Sequence, residues 1–168
     1  MRIYLVGYMC SGKTKTGKLL AAAIHAKFLD TDSLIEEQSK QTIQQLFDEK
    51  GEEYFRELET TMLHKTASQN KIVVATGGGL PCFHDNMSWM NEHGITVYLE
   101  ANEGLLFHRL ASSKQGRPLI AHLNDVGLME RISRDLVERT PVYELAAIKV
   151  NASSLNLKSL QQKIEKLK

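Results

Sequence analysis

A chain of 168 residues, with 42% hydrophobic and 24% charged residues, has the composition of an average soluble protein and length for one domain with one real core. A net charge of +1 gives no electrostatic case for nucleic acid or an anionic membrane surface, and no apolar run approaches a membrane span, so neither partner is expected. Cys10 and Cys82 have no CxxC or Cys/His ligand spacing, which points to a reducing cytoplasm without structural zinc, and the start of the chain has no signal-peptide pattern.

The first predicted strand, 3–6, runs directly into GYMCSGKT at 7–14. The spacing G-x-x-x-x-G-K-[ST] is that of a phosphate-binding loop, in which backbone N–H groups curl around phosphate oxygens and the next helix points its positive end at the same anion. Gly7 and Gly12 remove side chains that would block the curl. Lys13 is expected to reach the β- and γ-phosphates and the Thr14 hydroxyl to sit on Mg²⁺. The helix after the loop is expected at 13–25, with Leu19, Leu20, Ala23 and Ile24 at helical spacing.

Further along, strands are expected at 27–29, 72–75, 95–99 and 148–150, and helices at 32–39, 43–50, 52–68, 85–93, 103–112, 125–138 and 155–167. Thr42 and Gln45 have capping-box spacing, while Gly51 and Gly94 stand where helix C-caps belong. Strand and helix alternate, so the fold class is α/β: a parallel sheet with helices on both faces and ligands beyond the carboxyl ends of the strands. Polar or glycine-rich stretches follow three strands in the expected way: the phosphate loop, Asp30-Thr31-Asp32 and Thr76-Gly77-Gly78-Gly79. Together they describe one site facing a γ-phosphate. The stretch 112–124 carries Ser, Lys, Gln, Gly, Arg and Pro between two helices and reads as a lid that keeps water from an activated phosphate.

Six motifs, GYMCSGKT at 7–14, LDTD at 29–32, GEEYFRELE at 51–59, ATGGG at 75–79, GRPLI at 116–120 and RTPVY at 139–143, stand in an order and spacing that resembles the shikimate kinase family. The resemblance covers residues 2 to about 151, and the GExxFR, glycine-triplet and RxPxY elements separate this family from adenylate, gluconate and nucleoside kinases. It implies a P-loop kinase fold like that of nucleoside monophosphate kinases, a five-stranded parallel sheet in the order 2-3-1-4-5. One domain, 1–168, would hold a substrate-binding subdomain near 32–60 and a lid near 111–124. The implied activity is transfer of the ATP γ-phosphoryl group to the 3-hydroxyl of shikimate, with Mg²⁺; a monomer is expected because the chain has no obvious heptads or large apolar surplus.

The same resemblance assigns roles. Catalysis would fall to Lys13, Asp32 and the lid residue Arg117, with Asp32 holding ring hydroxyls and taking the proton of the attacking one. ATP would be held by Gly7, Cys10, Ser11, Gly12, Lys13, Thr14, Lys15, Arg109 and Arg117. Arg109 stands where the family stacks an arginine on adenine, with a surface helix arginine as the alternative. Shikimate would be held by Asp32, Phe55, Arg56, Gly77, Gly78, Gly79 and Arg139, the arginines offering planar forks to its carboxylate. Glu59 would orient Arg56. The metal would be held by Thr14 directly and by Asp30 through water. Cys10 departs from the family's common glycine, which implies a negative φ at that position; its thiol faces either the nucleotide or the core.

Overall fold

The computed structural model describes residues 1–112, 120 and 122–167. Among them, strands β1 (Arg2–Val6), β2 (Lys27–Asp30), β3 (Ile72–Ala75), β4 (Ile95–Glu100) and β5 (Ile148–Asn151) form one sheet in the order β2-β3-β1-β4-β5, every pair parallel. Helices α1 (Lys13–Ala23), α2 (Thr31–Ser39), α3 (Ile43–Lys65), α4 (Asn86–His93), α5 (Glu103–Ala111), α6 (Asp125–Tyr143) and α7 (Leu157–Glu165) cover it.

Alternation along the strands divides the core between the two faces. Tyr4, Val6, Ile72, Val74 and Tyr98 pack with Leu63, Met90, Leu106, Leu128, Ile132 and Tyr143. Ile3, Leu5, Val73, Val97 and Leu99 pack with Leu20 of α1 and Leu160 and Ile164 of α7. A satellite cluster of Ile35, Leu46, Phe55 and Met62 joins α2 to α3. The register places the site: Leu5 and Asp30 both pair with Ala75, so the residues that follow three neighbouring strands emerge side by side.

Two differences from the expected elements have physical reasons. The helices expected at 43–50 and 52–68 appear as α3, which carries the expected Thr42–Gln45 capping box and is broken at Gly51 by a φ of 82° and ψ of 173°. A β-carbon at Gly51 would meet nothing within 4 Å, so glycine is there for its positive φ and not for space. Helix α6, expected to stop at 138, runs to Tyr143 through Pro141. Pro141 is exposed, which lets the helix lose one N–H without a buried orphan. Asp135, Arg139 and Tyr143 thereby fall at successive i, i+4 positions of one helix face. At Gly94, the helix end is extended (φ −177°) and not left-handed; a β-carbon there would come within 2.6 Å of the Arg2 carbonyl.

Candidate active site

The phosphate loop arrives from β1 with its lysine already held. Lys13 is 7% exposed, and its ammonium donates to the carbonyls of Gly7 and Tyr8, at 2.8 Å each. Arg109, reaching over from α5, donates Nη1 to the carbonyls of Cys10 (2.9 Å) and Ser11 (3.2 Å) and so clamps the outer turn of the loop. The backbone at Cys10 contradicts the expected negative φ: it is left-handed, at 60°. The loop must reverse within a few residues to aim its N–H groups inward, and a left-handed residue does this, at a cost of about 1–2 kcal/mol for a side chain other than glycine. Ser11 is buried, and among the described residues its hydroxyl finds no partner.

Met9, Cys10, Gly12, Lys13, Thr14, Lys15, Asp30, Asp32, Thr76 and Gly78 line one cleft of about 290 Å³. Within this lining the Thr14 hydroxyl donates to Asp30 Oδ2 at 2.8 Å, and the other Asp30 oxygen caps α2 by accepting from the Asp32 N–H at 3.2 Å. These are hard oxygen donors beside a phosphate loop, the chemistry that suits Mg²⁺. Among the described residues no group of three or more His, Cys, Asp or Glu could hold a metal, so an ion here would share its shell with phosphate oxygens and water. Asp32 is open to the cleft yet crowded by protein on its other sides. That crowding, reinforced by the Asp30 charge and opposed by Lys13, pushes its carboxyl up to about 6. Water reaches Asp32 from the cleft, so the shift bears on its titration more than on the stability of the fold.

Behind Asp32, the glycine triplet makes room for charged groups. A β-carbon at Gly77 would lie 2.4 Å from Glu59 Oε1 and 2.9 Å from Asp32 Oδ1, and one at Gly79 would lie 2.7 Å from Arg56 Nη1. The Gly77 N–H donates to the buried Thr31 hydroxyl at 2.8 Å, tying the end of β3 to the start of α2. Arg56 is 5% exposed and donates Nη1 to Glu59 Oε2 (2.6 Å) and both Nε and Nη2 to Glu52 Oε1 (3.2 and 2.8 Å). Its guanidinium also faces the Phe83 ring at 4.4 Å and the Phe55 ring at 5.4 Å. Glu59 is 1% exposed; its burial outweighs the pull of Arg56 and lifts its carboxyl to about 7. Phe55 is withdrawn into the satellite cluster, its ring tilted at 41° against Phe47 with centroids 4.7 Å apart, and meets the site through Arg56.

Arg139 comes from α6. Its Nη2 lies 3.2 Å from Asp135 Oδ2, its guanidinium stands 5.6 Å from the Tyr8 ring, and it shares a hydrogen bond with Tyr143. Tyr143, fully buried, donates its hydroxyl to the Gly78 carbonyl at 2.6 Å. Asp135 is 2% exposed and accepts from the Tyr8 hydroxyl at 2.9 Å and from Arg131 Nε at both oxygens, at 2.8 and 2.9 Å.

Of the residues expected from sequence, Cys10, Gly12, Lys13, Thr14, Lys15, Asp30, Asp32 and Gly78 share the cleft, while Arg56, Glu59, Gly77 and Gly79 gather beside it. The charges of Arg56, Asp32 and Arg139 all bear on Glu59. Arg117 and most of the expected lid lie outside the described residues. Tyr8, Thr31 and Tyr143 stand inside the phosphate-loop, LDTD and RxPxY motifs without an expected role of their own, and Asp135 stands outside every motif. Asp135 carried a faint signal, its i, i+4 spacing to Arg139; Tyr8 carried none.

The family model for shikimate kinase matches residues 9–168. A shikimate kinase of Phocaeicola vulgatus is 46% identical over 168 residues, which cover 99% of this chain and 96% of that protein. The structure of shikimate kinase from Bacteroides thetaiotaomicron matches with a TM-score of 0.87 at 42% identity, covering 99% of this chain and 96% of that one. Shikimate kinase from Acinetobacter baumannii in complex with shikimate matches with a TM-score of 0.87 at 34% identity, covering 99% and 91%. Likeness at this level, sustained from residue 9 to residue 168, places the chain in the shikimate kinase family.

Proposed function

We propose that this chain carries out its family's reaction in the cleft between the phosphate loop and the Arg56–Arg139 corner. ATP phosphorylates the 3-hydroxyl of shikimate there, giving shikimate 3-phosphate and ADP on the route to chorismate and the aromatic amino acids. The observation that carries this reading is the position of Asp32, which lines the cleft with Lys13 and Thr14 and also lies against Gly77, beside Glu59. It is the carboxylate that faces both a phosphate and an acceptor.

Lys13 exchanges its hold on the Gly7 and Tyr8 carbonyls for the β- and γ-phosphates, and the loop N–H groups bind the remaining oxygens. Gly7, Cys10, Ser11 and Gly12 act through backbone, Lys15 adds charge at the rim, and Arg109 holds the loop's outer turn, with stacking on adenine as its family role. Thr14 and Asp30 would hold Mg²⁺, which supplies charge neutralisation on the phosphates. Arg56 and Arg139 receive the substrate's carboxylate, and the backbone of Gly77, Gly78 and Gly79 lies under the ring. Asp32 accepts a hydrogen bond from the 3-hydroxyl and takes its proton as phosphoryl transfer proceeds. With a carboxyl titrating at about 6, it is mostly ionised at neutral pH and close enough to operating pH to serve as a base. Arg117, by family resemblance, brings further positive charge to the transferring phosphoryl group. We place the chain in the cytoplasm as a monomer with a subdomain near 32–60 and a lid near 111–124; a reducing setting suits two cysteines, Cys10 and Cys82, that have no metal-ligand spacing.

A coupled assay of ADP release tests the reading with shikimate, gluconate or no acceptor. Release should require shikimate and Mg²⁺. Equal rates with all three would overturn it.

A further inference from the structure

Asp135 is a buried carboxylate that lies outside every motif. It gathers three donors from two parts of the molecule: the Tyr8 hydroxyl from the phosphate loop and Arg131 and Arg139 from α6. A buried charge that served packing alone would be replaced at little loss by apolar groups of the same volume. Here the charge has a geometric product. Arg131 takes both Asp135 oxygens through Nε, while Arg139 approaches Oδ2 through Nη2 at 3.2 Å, a contact that engages one nitrogen of a fork with five N–H donors.

The charge balance points the same way. Two arginines share one carboxylate at this corner, whereas Arg56 is shared by two carboxylates, Glu52 and Glu59. The Asp135 corner therefore carries a net positive charge that an incoming anion can neutralise. Tyr8 fixes the same carboxylate from the phosphate loop, donating to the Oδ2 that Arg139 approaches. Its hydroxyl stays protonated and donating, because burial and the Asp135 charge raise its pKa. Its carbonyl, in turn, accepts from Lys13. The Arg139 side chain is held from the other end by Tyr143, which is fastened to the Gly78 carbonyl.

We propose that Asp135, anchored by Tyr8, is a positioning residue that holds the Arg139 guanidinium at the place where the substrate's carboxylate docks. This rests on the reading that Arg139 binds that carboxylate. An arginine free to sample its rotamers would lose that freedom on binding, and one already held by Asp135 loses less.

The test compares shikimate with its methyl ester, which keeps the ring hydroxyls and loses the charge. Wild type should favour shikimate in kcat/KM; absence of any phosphorylation of shikimate would refute the functional reading itself and leave the positioning claim without a substrate. In Asp135→Asn, KM for shikimate should rise about ten- to a hundredfold, with KM for ATP within about twofold, and the preference for acid over ester should shrink by a similar factor. Because Asp135→Asn leaves two arginines without a charged partner and can unfold, Tyr8→Phe is the second variant. It removes one hydroxyl, and should raise KM for shikimate severalfold and narrow the same ratio. A folded Tyr8→Phe with an unchanged acid-to-ester ratio overturns the proposal. Equal losses on both acceptors, in either variant, also overturn it, since that is what a merely structural role predicts.

Discussion

The two ends of the cleft are built from different materials. At the phosphate end Lys13 and Arg109 each donate to two main-chain carbonyls of the loop itself, so the geometry there follows the path of the backbone. At the acceptor end the geometry follows from buried ions, Arg56 between Glu52 and Glu59, and Asp135 between Arg131 and Arg139, brought from helices far apart in sequence. A backbone cradle tolerates changes of side chain and of pH. Buried ion pairs do not, because removal of one member leaves the other charged and unpaired. The acceptor end should therefore fail first, and selectively.

The largest effect that sharpens this contrast is expected from Arg139→Ala. Loss of a charged hydrogen-bonding partner corresponds to roughly 1.5–3 kcal/mol, so shikimate binding should weaken about ten- to a hundredfold. ATP binding should stay within about twofold, measured by calorimetry with each ligand alone. Equal losses for both ligands would mean that Arg139 supports the fold and not the acceptor end.

The second effect is on stability. Burial lifts Glu59 from the ordinary carboxyl value of 4.5 to about 7, so between these values the folded protein binds more protons than the unfolded chain. The stabilisation from that bound proton is fully present below 4.5 and is lost as pH rises through 7. Glu59→Gln should flatten this dependence, and because it breaks the buried 2.6 Å ion pair with Arg56 the variant should be less stable than wild type at pH 8. Urea denaturation of both proteins at pH 6 and pH 8 measures it; parallel pH slopes would show that Glu59 is not titrating in the fold. Asp32 shifts in the same direction, but water in the cleft screens it and its share is smaller.

The smallest effect belongs to the phosphate end. Cys10 holds a φ of 60°, and Cys10→Gly relieves that strain while adding freedom to the unfolded chain. The net gain should be about 0.5–1 kcal/mol, with ATP turnover retained. A dead but folded variant would show that the thiol itself, and not the loop backbone, serves the phosphates.

The contrast also explains what the sequence made legible. The phosphate loop, Asp30, Asp32 and the glycine triplet are contiguous in sequence and follow strands, so local spacing and the strand-end rule found them together. The strand order was likewise legible, through family resemblance, and the sheet has it. Asp135 and Tyr8 are 127 residues apart, and nothing local says that they meet. The helix expected to end at 138 runs through Pro141 to Tyr143, and that added length aligns Asp135, Arg139 and Tyr143 on one face. The negative φ expected at Cys10 failed for a related reason. It was argued from residue type, whereas the loop's reversal dictates the backbone there.

The central claim is that Asp32 joins the two ends, accepting the proton of a hydroxyl whose oxygen attacks a phosphate held by Lys13. Asp32→Asn keeps the shape and removes the base, so single-turnover phosphoryl transfer, measured beside calorimetric binding of ATP and of shikimate, tests it directly. The account predicts that transfer falls about a hundredfold or more while both ligands still bind within severalfold of wild type. Transfer at the wild-type rate, with both ligands bound, would contradict it.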